Sequence, residues 1–135
     1  MLKAGVLGAG HLGKIHLRLL KESDKYELVG FYDPNKDNAA KIAAEFGYKA
    51  FDTIQELIDA VDVVDIVTPT LSHHDCAIQV IESKKHVFIE KPISNTVQEA
   101  VEIVSLANKN NIKGQVGHVE RFNPAFIGVK DKIEN

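Results

Sequence analysis

The sequence predicts an α/β protein: a doubly wound, mostly parallel six-stranded sheet with helices on both faces. Short β-branched or apolar runs alternate with longer segments of helical period, the pattern of βαβ units. A glycine-rich turn, Gly8-Ala9-Gly10-His11-Leu12-Gly13, falls between the first apolar run and the first helical segment. Val63 to Thr68 is almost continuously apolar, broken by Asp65, as expected of a central strand covered on both faces. The 135 residues match one ordinary domain with a single core.

Taken in order, the first strand is Leu2 to Leu7, and the helix after the glycine turn carries Leu12, Ile15, His16, Leu19 and Leu20 at helical spacing. The second strand is Tyr26 to Tyr32, stopped by Pro34, which has no amide proton for a ladder. Asp37 reads as an N-cap for a helix with Ala39, Ala40, Ile42, Ala43 and Phe46 on its apolar face, and Gly47 as its left-handed C-cap. Lys49 to Phe51 reads as a short third strand, after which Asp52 or Thr53 caps a helix containing Ile54, Leu57 and Ile58. Beyond the Val63–Thr68 strand and Pro69, Ser72 is placed to cap a helix through Ala77, Ile78, Val80 and Ile81, leading to the strand His86 to Ile89. Thr96 and Glu99 have capping-box spacing ahead of Val97, Ala100, Val101, Val104 and Leu106, and Lys113 to Gly117 is the last strand. Ala125 to Ile133 is weakly helical.

The glycine turn is a G-x-G-x-x-G pattern in its proper context, between strand and helix, and marks a Rossmann dinucleotide site. Gly8 permits the tight bend, Gly10 lets backbone approach a pyrophosphate, and Gly13 brings the helix close to the sheet. His11 and Leu12 complete the loop that would touch the cofactor. The helix N-terminus offers unpaired N–H groups and a partial positive charge to the diphosphate. Asp33 ends the second strand about twenty residues past Gly13, where a carboxylate accepts hydrogen bonds from the adenosine ribose and repels a 2'-phosphate. NAD is therefore expected over NADP, and Lys36 is expected to be a surface residue. Ligands of open α/β sheets collect at the carboxyl ends of strands, so Thr68-Pro69, Glu90-Lys91-Pro92 and Gly117-His118 are expected to line one crevice with the turn.

These residues, together with His73 after Thr68-Pro69-Thr70 and the run Arg121-Phe122-Asn123-Pro124, resemble the glucose-fructose oxidoreductase and inositol dehydrogenase (Gfo/Idh/MocA) family over essentially the whole chain. Val116 to Pro124 resembles, more narrowly, members that oxidise the 3-hydroxyl of UDP-N-acetylglucosamine or its uronic acid. The resemblance implies hydride transfer between a sugar or nucleotide-sugar carbon and NAD, with Lys91 as the catalytic residue at the reacting hydroxyl. It implies cofactor contacts from Thr68, Pro69, His73, Glu90 and Lys91, and substrate contacts from Lys91, His118, Arg121 and Asn123. An ammonium at a cleft floor can polarise a developing alkoxide or carry a proton. Glu90 either orients that lysine or is a plain structural acid, and Pro92 fixes the backbone beyond it. His118 and Arg121 either reach substrate or belong to local structure at a domain junction. His16 and His86 read as structural, and Cys76 as a small buried apolar residue.

Relatives of this family carry a second, C-terminal α/β domain. Against that pattern, residues 1–123 form the NAD-binding domain and 124–135 the start of a connection to a domain absent from this chain. The expectation is a truncated half that binds cofactor and turns over little alone. Apolar surface near Phe122, Phe126 and Ile127 points to a homo-oligomer. A net charge of −3 without a dense basic run gives no footprint for nucleic acid or an anionic membrane, and no apolar stretch approaches a membrane span. The single cysteine excludes an intrachain disulfide, which fits a cytoplasmic location. The six histidines supply no plausible metal-ligand set, so no metal is expected. The rival to an enzyme is a non-catalytic module that senses NAD or a sugar. Another lysine-bearing Rossmann enzyme ranks last, because it gives no reason for Glu90-Lys91-Pro92.

Overall fold

A computed structural model describes residues 1–133. Its sheet has five parallel strands rather than six: β1 (Leu2–Leu7), β2 (Tyr26–Tyr32), β3 (Val63–Ile66), β4 (His86–Glu90) and β5 (Gly114–Gly117), in the order β2-β1-β3-β4-β5. The expected strand at Lys49 to Phe51 is reduced to a single bridge, Phe31 to Ala50. Phe31 N–H bonds the Lys49 carbonyl and Phe51 N–H bonds that of Phe31, but the next residues already enter the Thr53 cap of a helix, so no ladder can extend. Glycine is required where this segment passes β2, because a Cβ on Gly30 would lie 2.3 Å from the Lys49 carbonyl oxygen. The strand expected to reach Thr68 stops at Ile66, and β3 is central as predicted.

The helices are α1 (His11–Glu22), α2 (Lys36–Phe46), α3 (Ile54–Ala60), α4 (His73–Glu82), α5 (Val97–Lys109) and α6 (Pro124–Ile133). Asn35, rather than Asp37, caps α2, accepting from the Asn38 N–H; Asp37 instead sits in the first turn, where the helix dipole favours its charge. Gly47 ends α2 in the left-handed region at φ 71°. Thr53–Glu56 and Thr96–Glu99 both form complete capping boxes. Ser72 makes no capping bond, because Thr70 to Ser72 is wound into a 3-10 turn that leads directly into α4.

Strand alternation divides the interior into two cores. Leu7, Val64, Ile66, Val87 and Ile89 face α3, α4 and α5 and meet Leu57, Ile58, Ala77, Val80, Ile81 and Ile103. Val6 and Phe31 face the other way, onto Leu17, Ala39 and Ile42 of α1 and α2. Each fully buried Leu or Ile of this kind stabilises the fold by roughly 1.5–3 kcal/mol. Two helices are rotated from their predicted faces. In α1 the buried positions are Gly13 and Leu17, with Leu12 and Leu19 outward; in α5 they are Ile103 and Ala107, with Val97, Val101 and Val104 outward. Both helices carry more apolar residues than one sheet-facing stripe can hold. Cys76 is buried, as expected of a small apolar residue, and burial pushes its thiol up. Phe122, Phe126 and Ile127 are all exposed. Among the described residues no helix is long and apolar enough to cross a membrane.

Candidate functional site

Residue pairing across the sheet sets the level of each loop. Leu7 pairs with Ile66, Ile66 with Ile89 and Glu90 with Gly117, so Gly8, Val67-Thr68, Glu90-Lys91 and Gly117-His118 leave the sheet along one edge. A groove of roughly 730 Å³ opens there, lined by Gly8, Gly10, His11, Leu12, Gly13, Asp33, Thr68 and Pro69. That volume lies in the ordinary range for a cofactor site.

The glycine turn is built by close approach. Gly8 has φ 92°, and a Cβ there would stand 2.8 Å from the Val67 carbonyl oxygen. At Gly13 a Cβ would come within 2.0 Å of the Gly8 carbonyl oxygen, so only glycine lets α1 rise directly off the turn. Gly10 has open space at its Cβ position and ends the turn as the N-cap of α1. Where Asn35, Thr53 and Thr96 cap their helices with side chains, α1 has no side-chain cap and no acidic residue in its first turn. Its first N–H groups therefore suit an anion, and the empty wedge over Gly10 suits a diphosphate.

Asp33 is buried beside this turn and organises it. Its Oδ2 accepts from Ala9 N–H at 2.9 Å and from the Asn38 amide at 3.1 Å, and its Oδ1 accepts from Asn35 N–H at 2.8 Å. Asn38 also donates to the Ala9 carbonyl at 3.2 Å, pinning both sides of the bend. Oδ1 keeps acceptor capacity for a ribose hydroxyl. Nothing in the sequence around Asn38 marks this contact 29 residues back. Tyr32, Ile54, Asp75 and Cys76 are further groove residues without a sequence signal. Lys36 is on the surface as expected, its ammonium bonded to the Asp52 carbonyl at 2.6 Å.

On the far wall the Thr68 hydroxyl oxygen is buried without an oxygen or nitrogen partner among the described residues. His73 does not line the groove. It is buried, with Nε2 2.8 Å from the Thr68 carbonyl and Nδ1 2.8 Å from the Pro92 carbonyl, and so straps the two loops that flank the crevice. Carbonyls only accept, so the neutral ring satisfies one of these contacts and the imidazolium both. Lys91 is exposed at the end of β4, ahead of a cis bond to Pro92, and its ammonium makes no bond among the described residues. Glu90 turns away from it: one oxygen accepts from the Lys91 backbone N–H at 3.0 Å and the other lies 3.4 Å from His16 Nε2. Glu90 therefore touches Lys91 through its backbone N–H and not through its ammonium.

His118 and Arg121 are exposed in the segment after β5. Asn123, expected at the substrate, is engaged locally: its oxygen accepts from Ala125 N–H at 2.9 Å, capping α6, and its amide donates to Glu120 at 2.9 Å. A side chain with both ends bonded to its own turn has little left to offer a ligand.

A bend with glycine at positions 8, 10 and 13, an uncapped helix aimed at a groove and a buried acid at the next strand end define a dinucleotide-binding domain. The family model described as the oxidoreductase family with an NAD-binding Rossmann fold matches residues 2–118, and the chain belongs to that family, Gfo/Idh/MocA. It is 36% identical over 125 residues to UDP-N-acetylglucosamine 3-dehydrogenase of Acidithiobacillus ferrooxidans, covering 93% of this chain and 39% of that protein. It is 34% identical to glucose-6-phosphate 3-dehydrogenase of Bacillus subtilis, covering 90% and 35%. A solved structure of the Acidithiobacillus ferrooxidans enzyme superposes with a TM-score of 0.88 at 34% identity, over 97% of this chain and 43% of that one. The chain thus spans about two fifths of the length of such relatives.

Proposed function

We propose that this chain is the cofactor-binding half of an NAD-dependent dehydrogenase that oxidises a hydroxyl of a sugar or nucleotide sugar. The observation that carries this reading is the groove lined by the glycine turn and Asp33 at the carboxyl edge of the sheet, the edge at which β4 also ends ahead of Lys91, although Lys91 itself does not line that groove. Similarity to dehydrogenases of UDP-N-acetylglucosamine and glucose-6-phosphate supports the substrate class. When bound, the nicotinamide supplies the hydride acceptor. This chain's own residues supply the following: the α1 N-terminus and Gly10 hold the diphosphate, Asp33 accepts from the adenosine ribose, and Lys91 Nζ, as the neutral amine, accepts the proton of the reacting hydroxyl and becomes the ammonium. His118 and Arg121 are the substrate contacts of this reading, Arg121 offering a bidentate fork to a phosphate or carboxylate. Residues 1–123 form the domain and 124–135 lead toward the portion that completes the substrate site, so the chain alone binds NAD with little turnover. Self-association through Phe122, Phe126 and Ile127 belongs to the same reading, and sedimentation velocity that finds only monomer at high concentration removes it.

Calorimetry of this chain with NAD and NADP, followed by Lys91→Met in a longer natural version, tests the proposal. NAD is expected to bind more tightly than NADP. Lys91→Met is expected to lower kcat by roughly 10²-fold or more, the usual worth of a positioned acid–base group, while NAD affinity is kept. No NAD binding, or full turnover by the Lys91→Met protein, overturns it.

A further inference from the structure

Behind the crevice, three elements bring an imidazole and two carboxylates together. His16 of α1 places Nδ1 2.8 Å from Asp65 Oδ2 on β3 and Nε2 3.4 Å from Glu90 Oε1 on β4, with side-chain exposures of 15%, 11% and 13%. The Phe88 ring lies beside the imidazole, its centroid 6.2 Å away. Room for Glu90 depends on Gly117, where a Cβ would stand 2.8 Å from Glu90 Oε1. The other Glu90 oxygen receives the Lys91 N–H. A continuous series of contacts therefore joins Asp65, His16, Glu90 and the backbone of Lys91, and it passes through the same helix whose N-terminus faces the diphosphate site.

We propose that His16 is a positioning residue: by holding Glu90 it fixes the Lys91 backbone relative to the cofactor-binding helix. The proposal rests on the reading of Lys91 given above and assigns to His16 and Glu90 the geometry on which that reading depends. Carboxylates only accept, so both ring nitrogens must carry protons for Asp65 and Glu90 to be bonded together. If the ring loses the Nε2 proton, a lone pair faces the Glu90 carboxylate at 3.4 Å, and Glu90 is pushed off the Lys91 N–H. Asp65 and Glu90 are the titratable groups that face His16. The Asp65 hydrogen bond, with the charges of both acids, holds the imidazole above its ordinary value against the opposing effect of burial. Burial raises the Asp65 carboxyl in turn, with His16 opposing. On the other side His73 bonds the Pro92 carbonyl, so the 90–92 segment is anchored at both ends and His16 governs one of them.

The test is nuclear magnetic resonance of the ¹⁵N-labelled chain between about pH 5.5 and 9.5, a window that brackets an imidazole value raised from 6.5. The His16 ring is expected to titrate above 6.5, and the Lys91 amide shift to follow the same midpoint. In His16→Gln the Lys91 amide should stop titrating in that window. Its hydrogen exchange should rise roughly tenfold, on the scale of one bond to a charged acceptor. Glu90→Gln keeps the shape, lowers the His16 midpoint and also abolishes the Lys91 titration; it decides the matter if His16→Gln does not fold. A Lys91 amide that is flat with pH in the parent chain, or that titrates unchanged in the folded variant, overturns the proposal. NAD titrated into the same samples reports separately: absent binding removes the cofactor reading and leaves the amide result standing.

Discussion

Replacing Asp33 separates its two tasks, bracing the glycine turn and selecting the cofactor. Asp33→Ala removes the acceptor for three donors, at 2.8, 2.9 and 3.1 Å. Ala9 is fully buried, so its N–H loses a partner that water cannot replace. Asn35 is exposed and its N–H can turn to solvent, while the Asn38 amide keeps the Ala9 carbonyl. One stranded buried donor costs about 1–3 kcal/mol and the two weakened bonds add about 1 kcal/mol, giving about 3 kcal/mol and a fall in Tm of roughly 10 °C for a domain of this size. For selectivity, two unit charges ~5 Å apart at an effective dielectric of ~20 repel by about 3 kcal/mol. Solvent at the groove mouth screens part of this, and we expect NADP to gain at least about tenfold relative to NAD in the variant. Thermal melts and paired NAD and NADP calorimetry read both effects. A variant with unchanged Tm refutes the bracing argument, and an unchanged NAD-to-NADP ratio refutes the assignment of Asp33 to the ribose.

Gly13→Ala drives a Cβ to within 2.0 Å of the Gly8 carbonyl oxygen, so α1 must lift from the turn; NAD affinity should drop at least about tenfold with a stability loss of about 1–3 kcal/mol, and calorimetry that finds parental affinity would falsify the close-approach argument. Leu57→Ala empties a fully buried site between α3 and β1 and should cost about 2–5 kcal/mol in urea unfolding, with NAD affinity per folded molecule retained. Because the His16 value is raised on folding, its stabilisation is complete below pH 6.5 and is lost as pH rises through the folded value; urea midpoints should therefore fall above pH 6.5 in the parent chain and fall less in His16→Gln, and parallel profiles would exclude the coupling.

What could be read from the sequence was what short stretches of chain determine. The bend from β1 into α1, the position of Asp33 at the end of β2, the left-handed Gly47 and the Thr96–Glu99 capping box each depend on residues a few positions apart, and each is where it was expected; of the two caps offered for α3, Thr53 is the one used, in a box with Glu56. Helix rotation was harder. In α1 and α5 the surplus of apolar residues made several faces equally plausible, and only contact with the strands selected Leu17 over Leu19 and Ile103 over Val104. Lys49 to Phe51 had strand composition but too few residues before the Thr53 cap to pair more than once. The partners of His16 are separated from it by 49 residues or more and carry no local mark, yet one clue was present. A carboxylate inside an otherwise apolar central strand is costly unless something bonds it, so Asp65 already demanded a nearby donor. Helix α1 follows β1, the neighbour of β3, and His16 lies one turn beyond Gly13, on the side where the helix must touch the sheet. The buried acid is thus a requirement rather than an interruption in the strand, and His16 meets it from the cofactor helix while also reaching Glu90, the last residue of the strand that leads into Lys91.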